Sequence, residues 1–371
     1  MKNILFIIFH GFAPGNGISK KISYQVEALK ACGNQVHLCY MDEAITKRRI
    51  IDGEVIADYG SGIKGKVLKR ISFSAISDYV KSQHIDFVYI RSNHNANPFT
   101  IHMVKKMRQA GAHVVMEIPT YPYDAEYKAQ GISKQIVQDR LFRHQLARNL
   151  DAIVTFSDED TIFGQHTIRI SNGIDFDSIP MKVQMNDTSQ KLNLIGVAEI
   201  HQWHGFDRVI HGLANYYAHP HDIQVNFHVV GYFFSDEIEY TFHKLIADCK
   251  MEDYVVLHGK QHGKALDQLF ELCDFGIGSL GRHRVGINQI KTLKNREYAA
   301  RGIPFVYSET DSDFDHRPYV LKVPANEKPL DIDAVVAFQR SIKLSPSDIR
   351  ASIGELSWKH QMSIVLNHVF H

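Results

Sequence analysis

Cysteine is scarce in this 371-residue chain: Cys32, Cys39, Cys249 and Cys273 lie far apart, with no CxxC pair. That spacing excludes a disulfide framework and a thiolate metal cluster, and reduced thiols in a cytoplasmic protein are expected. No apolar run approaches the roughly 18 residues that crossing a bilayer takes. The opening MKNILFIIFHGF stops at His10 without a small-residue cleavage site, and reads as a first buried strand rather than a signal peptide. Charge of one sign is not in excess: the formal net charge is +1, so nothing demands nucleic acid as a partner. Histidine is abundant at 22, but no HExxH spacing gathers it, and no metal is expected.

What is present is length and alternation. A chain of 371 residues exceeds what one core usually organises, so two domains are expected. The charge is uneven: residues 1–182 hold 23 Lys and Arg against 18 Asp and Glu, and the remainder 19 against 23. A basic first half points to an anionic surface or substrate, against the alternative of scattered solvated charge. Buried strands read at 4–9, 36–40, 87–92, 113–119 and 151–157, with helices at 18–31 and 98–110 and a basic one at 133–149. Residues 44–65 suggest a small hairpin region. The pattern pauses at RISNGIDFDSIPMKVQMNDTSQ (169–190), a polar, turn-rich linker, and then restarts. Strands separated by helices imply parallel sheets with right-handed crossovers, which bind ligands beyond the carboxyl ends of their strands.

Two stretches carry candidate chemistry. The loop GFAPGNGIS follows the first strand, and Gly15 and Gly17 permit close backbone approach to a phosphate at a helix N-terminus. It is not G-x-G-x-x-G, since Ser19 and Lys20 occupy the later positions, and a plain turn is the alternative. In INQIKTLKNREYAARGIPFVYS (287–308) a helix over 293–301 ends on Gly302 before a buried strand. Lys294 and Arg296 fall in its first turn, where the helix dipole disfavours cations unless an anion is near. Lys294 suits a phosphate there, and Glu297, three residues on, suits a ribose diol; the alternative is an i,i+3 ion pair on a solvated helix. The clusters DED at 158, DFD at 175, DSD at 311 and DID at 331 are discounted as metal sites, three of them lying in loops and turns.

Four segments in order carry a family resemblance over about residues 1–320. SNGID (171–175), GVAEIHQWHGFDRVIHGL, VVLHGKQHGKALDQLFELCDFGIGSL and REYAARGIPFV resemble, in turn, the interdomain, phosphate-loop, base-binding and E-x7-E regions of family 4 retaining glycosyltransferases. The resemblance implies the GT-B fold, two doubly wound Rossmann-like domains facing a central cleft: 1–175 for the acceptor, 176–352 for the nucleotide sugar, and 353–371 a helix packing back on the first. It implies that Glu297 binds the donor ribose, that Gly259 and Lys260 frame the base, and that Gly15 and Gly17 approach the donor phosphates. The sequence departs from the family where the first motif glutamate falls on Gln289, and where its phosphate-binding Arg and Lys fall on Glu199 and His204. Arg282, Arg284 and Lys294 are the expected basic replacements, with Arg208 another. On the acceptor side Glu117, Tyr123 and Asp124 are candidates, with His94 a weaker one; Gln289, Asp124 and Glu117 are the catalytic candidates.

The activity so implied is hexosyl transfer from a nucleoside diphosphate sugar, a co-substrate rather than a cofactor, to a glycan or lipid-linked acceptor in polysaccharide biosynthesis, with retention and without metal. For the basic group Lys128, Lys134, Arg140, Arg143 and Arg148 two readings stand side by side: contact with an anionic membrane surface at its inner face, or a solvated basic helix. The alternatives are a sugar-nucleotide epimerase or phosphorylase of the same fold, and a non-catalytic scaffold.

Overall fold

The computed structural model describes residues 1–13, 17–124 and 134–371, in two compact units. Unit 1 is built from Met1–Ser171 together with Trp358–His371. The apolar run that opens the chain forms β1 (Asn3–Ile7), buried on both faces, and it is followed by α1 (Gly17–Ala31) and β2 (Gln35–Asp42). A hairpin of β3 (Arg48–Ile51) and β4 (Glu54–Asp58) fills the 44–65 region, and α2 (Gly62–Ile71) and α3 (Ser74–Ser82) follow. Next come β5 (Phe87–Arg91), α4 (Pro98–Gln109), β6 (His113–Ile118), α5 (Lys134–Ala147), β7 (Ala152–Thr155), and a short hairpin of β8 (Thr161–Ile162) with β9 (Gln165–Arg169). The order across the sheet is β4-β3-β2-β1-β5-β6-β7-β9-β8 among the described residues, with the stretch from β2 to β9 parallel. The start of α4 shows how local sequence sets an element: Asn97 and Thr100 form a reciprocal capping box, and Pro98 occupies the first helical turn.

Unit 2, Asn172–Ser357, repeats the alternation. Its elements are β10 (Lys191–Ile200), α6 (Phe206–Tyr217), β11 (Gln224–Phe233), α7 (Asp236–Asp248), β12 (Val255–Leu257), α8 (Lys264–Leu272), β13 (Phe275–Ile277), α9 (Leu293–Arg301), β14 (Phe305–Tyr307), β15 (Val320–Lys322), α10 (Ile332–Ser341) and α11 (Pro346–Ala351). The sheet is parallel throughout, in the order β12-β11-β10-β13-β14-β15. From β10 the chain builds outward to β11 and β12, then crosses to β13 on the other side. The gap between β10 and β13 is therefore the topological switch point, where adjacent loops part and leave a crevice at the carboxyl ends of the strands. The helix α9 presses closely on this sheet, because a Cβ on Gly276 of β13 would stand 2.6 Å from the Tyr298 ring.

The chain passes from unit 1 to unit 2 between Ser171 and Asn172, four residues before the expected boundary. It returns through α12 (Trp358–Phe370), whose start lies five residues beyond the expected 353. Residues 353–356 stay with unit 2 because Ile353 and Leu356 are buried in its core and the Ile174 amide donates to the Leu356 carbonyl at 2.7 Å. Trp358, Met362, Val365 and Leu366 of α12 complete the unit 1 core against Ile22, Val26 and Phe6.

Candidate functional site

The switch point of unit 2 gathers an unusual set of side chains. From the end of β10, a single 3₁₀ turn (Gln202–His204) brings in His201 and His204. Gly205 follows at φ 65°, and a Cβ there would stand 2.7 Å from the Leu280 carbonyl carbon, so only glycine lets this turn close against the loop after β13. The Leu280 amide donates to the His204 carbonyl at 2.9 Å, which locks the two loops together. The β13 loop supplies Ser279 and, from a second 3₁₀ turn (Arg282–Val285), Arg282. The first turn of α9 supplies Lys294, and Glu309 stands two residues beyond β14.

Polar atoms here are left without partners. Ser279 Oγ, Thr292 Oγ1, Lys294 Nζ, Asn295 Oδ1 and both Glu309 carboxyl oxygens are buried and have no hydrogen-bond partner among the described residues. Buried polar groups are ordinarily paired, and each unpaired one costs roughly 1–3 kcal/mol, so these atoms are the ones that a ligand or ordered water would satisfy. Thr292, the residue preceding α9, offers no side-chain cap, and the amides of the first turn remain available to a ligand.

The electrostatics agree. The Lys294 stem keeps some exposure, but its nitrogen is covered, 5.7 Å from the centroid of the Phe206 ring. Burial, with Arg282 adding repulsion, pulls its ammonium down to about 7. Burial pushes the Glu309 carboxyl up to about 7, against the opposing pull of its own backbone amide, Arg282 and Lys294. His204 is held well below the ordinary imidazole range by burial and by Lys294 and Arg282. Its Nδ1 accepts from the His201 amide at 3.1 Å, which leaves Nε2 to carry the proton. The His201 ring stacks on Trp203 at 3.9 Å, and the Arg282 guanidinium lies over the Trp203 ring, 5.6 Å from its centroid. Basic side chains beside a helix start that has no side-chain cap are the features that favour an anion.

Of the residues singled out from sequence, Lys294, Arg282 and His204 are brought together here. Gln289 lies close by: its backbone pairs with Thr310, next to Glu309, and the flanking Ile290 amide donates to the Thr310 carbonyl at 2.9 Å. Arg284 is committed elsewhere, correcting the expectation that it serves a phosphate. It grips Asp207 with two bonds of 2.9 and 2.7 Å, binds Glu327, and donates to the Gln202 carbonyl at 2.8 Å. These bonds hold the Glu327 carboxyl down at about 2. Arg208 likewise donates to the carbonyls of Leu280, Pro324 and Lys328. Arg296 is a buried structural cation, paired with Asp311 and Asp313 of the DSD cluster. Glu297 points away toward Arg301, whose Nε donates to it at 3.0 Å and which also pairs with Asp267 on α8. Among the described residues, then, neither the alternative Lys294–Glu297 ion pair nor the unpaired Glu297 carboxylate expected for a ribose is seen. Gly259 and Lys260 follow β12, two strands from β10, with the Lys260 nitrogen over the Tyr232 ring at 5.5 Å. Glu199 sits 3.5 Å from His201.

The unit 1 candidates fall into place differently. Glu117 is fully buried at the end of β6, accepting from Gln25, Tyr89 and Arg91 with Lys21 at 3.8 Å. Burial alone would raise its carboxyl, but Lys21 and Arg91 hold it below the ordinary range. It is thus a buried counter-charge rather than a group open to an acceptor. Asp124 is held by Arg143 at 3.1 and 3.0 Å and by Arg140 at 3.0 Å, so one carboxylate is shared between two arginines of the basic group. Tyr123 donates to Asp139 at 2.6 Å and stacks against His94. Gly17 opens α1, whereas Gly15 and Lys128 lie outside the described residues. Sequence reasoning missed Glu309, although a charged residue just beyond a buried strand beside a switch point was a readable signal.

No family model matches this sequence, and no curated protein matches it. Solved structures do. HepE from Anabaena, in complex with UDP, shares 14% identity with 99% of each chain covered and a TM-score of 0.63. The sucrose-phosphate synthase of Thermosynechococcus elongatus shares 14% identity, covering 100% of this chain and 99% of its own, with a TM-score of 0.63. WaaG, a glycosyltransferase involved in lipopolysaccharide biosynthesis, shares 11% identity over 99% of each chain with a TM-score of 0.60. At such identity the likeness establishes the fold, which is GT-B with two Rossmann-like units.

Proposed function

We propose that the protein is a glycosyltransferase of the retaining family 4 type, moving a hexosyl group from a nucleoside diphosphate sugar to a glycan or lipid-linked acceptor in polysaccharide assembly, without a metal. The observation that carries the reading is the unpartnered Lys294 ammonium beside the uncapped first turn of α9 at the switch point. A diphosphate there would meet Lys294, Arg282 and the helix amides. Charge developing on the leaving phosphate would be stabilised by groups already held in place, the largest usual contribution to such chemistry. The neutral His204 would offer its Nε2 proton as a further donor. HepE, a protein of the same fold, was crystallised with UDP-glucose, which supports a nucleotide-sugar donor. Gln289 is the remaining catalytic candidate, Asp124 being held on both oxygens by Arg140 and Arg143, and Lys134, Arg140, Arg143 and Arg148 are the basic residues for an anionic membrane.

The test is a thermal-shift screen across UDP-, GDP- and ADP-sugars. At least one raises the melting temperature of the wild type and leaves Lys294→Met unmoved. A wild type unmoved by all of them overturns the reading. Turnover of the bound sugar nucleotide, lost in Lys294→Met, separates the enzyme from a scaffold; conversion with no acceptor present would identify an epimerase instead.

A further inference from the structure

One helix of unit 1 turns outward the face that its sequence would ordinarily bury. Ile63, Lys66, Val67 and Arg70 of α2 recur at the i, i+3, i+4, i+7 spacing of a single helix face. That face meets solvent: Ile63 is 81% exposed and Val67 49%, with Lys66 and Arg70 exposed beside them. The opposite side carries Gly65, which is buried, and the half-buried Leu68 and Lys69. A Cβ on Gly65 would collide with the Gly60 carbonyl, so the helix rests on the chain leaving β4 through its glycine and not through its aliphatic side chains. Ile45, 80% exposed, adds a third aliphatic side chain from the loop between β2 and β3. Glu43 of that loop accepts from Lys69 at 2.6 Å and pairs with Lys47 at 3.3 Å, which fastens the loop to α2.

The charge around these three side chains has one sign. No acidic residue occurs between Asp58 and Asp78, an interval that holds Lys64, Lys66, Lys69 and Arg70. Lys69 is spent on Glu43, whereas Lys64, Lys66 and Arg70 pair with no carboxylate among the described residues. Exposed aliphatic side chains interspersed with uncompensated bases are what an anionic lipid surface meets, since its acyl region takes the one and its phosphates the other. A second copy of this chain fits badly, because the same three bases would face each other across the contact. We propose that α2 and Ile45 form a docking surface for an anionic bilayer, in which Ile45, Ile63 and Val67 enter the lipid and Lys64, Lys66 and Arg70 bind headgroup phosphates. The rival within unit 1 is α5, which exposes Leu141 at 73%, but two of its arginines already hold Asp124. The docking is independent of the donor-site reading above.

The experiment is co-sedimentation of the full chain with vesicles of phosphatidylglycerol and phosphatidylcholine, with no sugar nucleotide present. The wild type is expected to bind vesicles rich in phosphatidylglycerol and not those of phosphatidylcholine alone, and to bind less as salt rises. Ile45→Ser, Ile63→Ser and Val67→Ser together should weaken binding at least tenfold, and Lys64→Gln, Lys66→Gln and Arg70→Gln about fivefold for each base removed. All six side chains are exposed, so both triple variants should keep the wild-type melting temperature. Binding that neither variant weakens overturns the proposal. So does a wild type that ignores anionic vesicles at low salt, which would mark the face as one for a protein, or self-association abolished by the serine variant, which would mark it as a contact between copies. Ile63→Trp reads the geometry directly: its emission should be quenched by phosphatidylglycerol brominated on the acyl chains, and quenching of Leu141→Trp alone would move the contact to α5 and overturn the proposal. Failure here leaves the donor site standing, and failure of the thermal-shift screen leaves the docking surface standing.

Discussion

Lys294 and Arg296 stand two residues apart on α9 and divide the roles that one basic stretch could hold. Arg296 is fully buried with every visible donor spent: on Asp311, Asp313, the Asn172 carbonyl and the Thr292 carbonyl. Removing one partner of such a pair leaves an uncompensated buried charge. Arg296→Met should therefore lower stability by about 3–5 kcal/mol, read from urea unfolding. Lys294 has no such partner, and its charge is a cost to the fold. Lys294→Met should raise stability by about 1–3 kcal/mol at pH 7, while weakening sugar-nucleotide binding at least a hundredfold by calorimetry. The sign follows from the lowered ammonium: folding favours the neutral amine, so the gain is present at neutral pH and vanishes above the ordinary lysine range near 10.5. A destabilised Lys294→Met would show that the residue is structural.

Among elements, α9 is the one that the sequence described best and explained least. Its span, Leu293–Arg301, and its stop on Gly302 at φ 79° follow from good helix formers and a glycine C-cap. What its side chains meet depends on β13, β14 and the loop beyond them, and spacing along one helix cannot supply that. Lys294 and Glu297 share a face by periodicity, yet one turns into the switch-point pocket and the other to Arg301, because Asp267 on α8 draws the arginine there. The strands and crossovers were legible for the same reason that the pocket was not: alternation is local, whereas Glu309 meets Lys294 only through packing. Gly276 tests the packing of α9. Gly276→Ala puts a methyl group against Tyr298 and should cost about 1–3 kcal/mol, weakening sugar-nucleotide binding as the helix start is displaced. Lys182 shows a similar long-range device, unmarked in the sequence: its buried nitrogen donates to the carbonyls of Phe270, Glu271 and Cys273, closing the C-terminal end of α8.

At the scale of the molecule, histidine burial sets the response to acid. Burial pulls His94, His201 and His258 below the ordinary range, His204 well below it, and His228 to about 4. These rings are neutral in the fold and bind protons near pH 6.5 when unfolded, so the stability they confer is complete above about 6.5 and is lost as pH falls toward 4. The urea midpoint should fall steeply between pH 6.5 and 4.5, and His228→Asn should flatten that slope; a midpoint constant across the interval would contradict it. His228 also anchors a polar network inside unit 2, its Nδ1 against His258 at 2.8 Å and its Nε2 against Asn193 at 3.3 Å.

The return of the chain to unit 1 through α12 has a bearing on how the protein is made. Unit 2 has both of its ends at one place, Ile174 bridged to Ser357, and every residue it needs has been synthesised by then. Unit 1 has not, because Trp358, Met362, Val365 and Leu366 still have to cover Ile22 and Val26. On the ribosome the earlier-synthesised half therefore waits for the later one, and its apolar α1 face remains open to chaperones until α12 emerges.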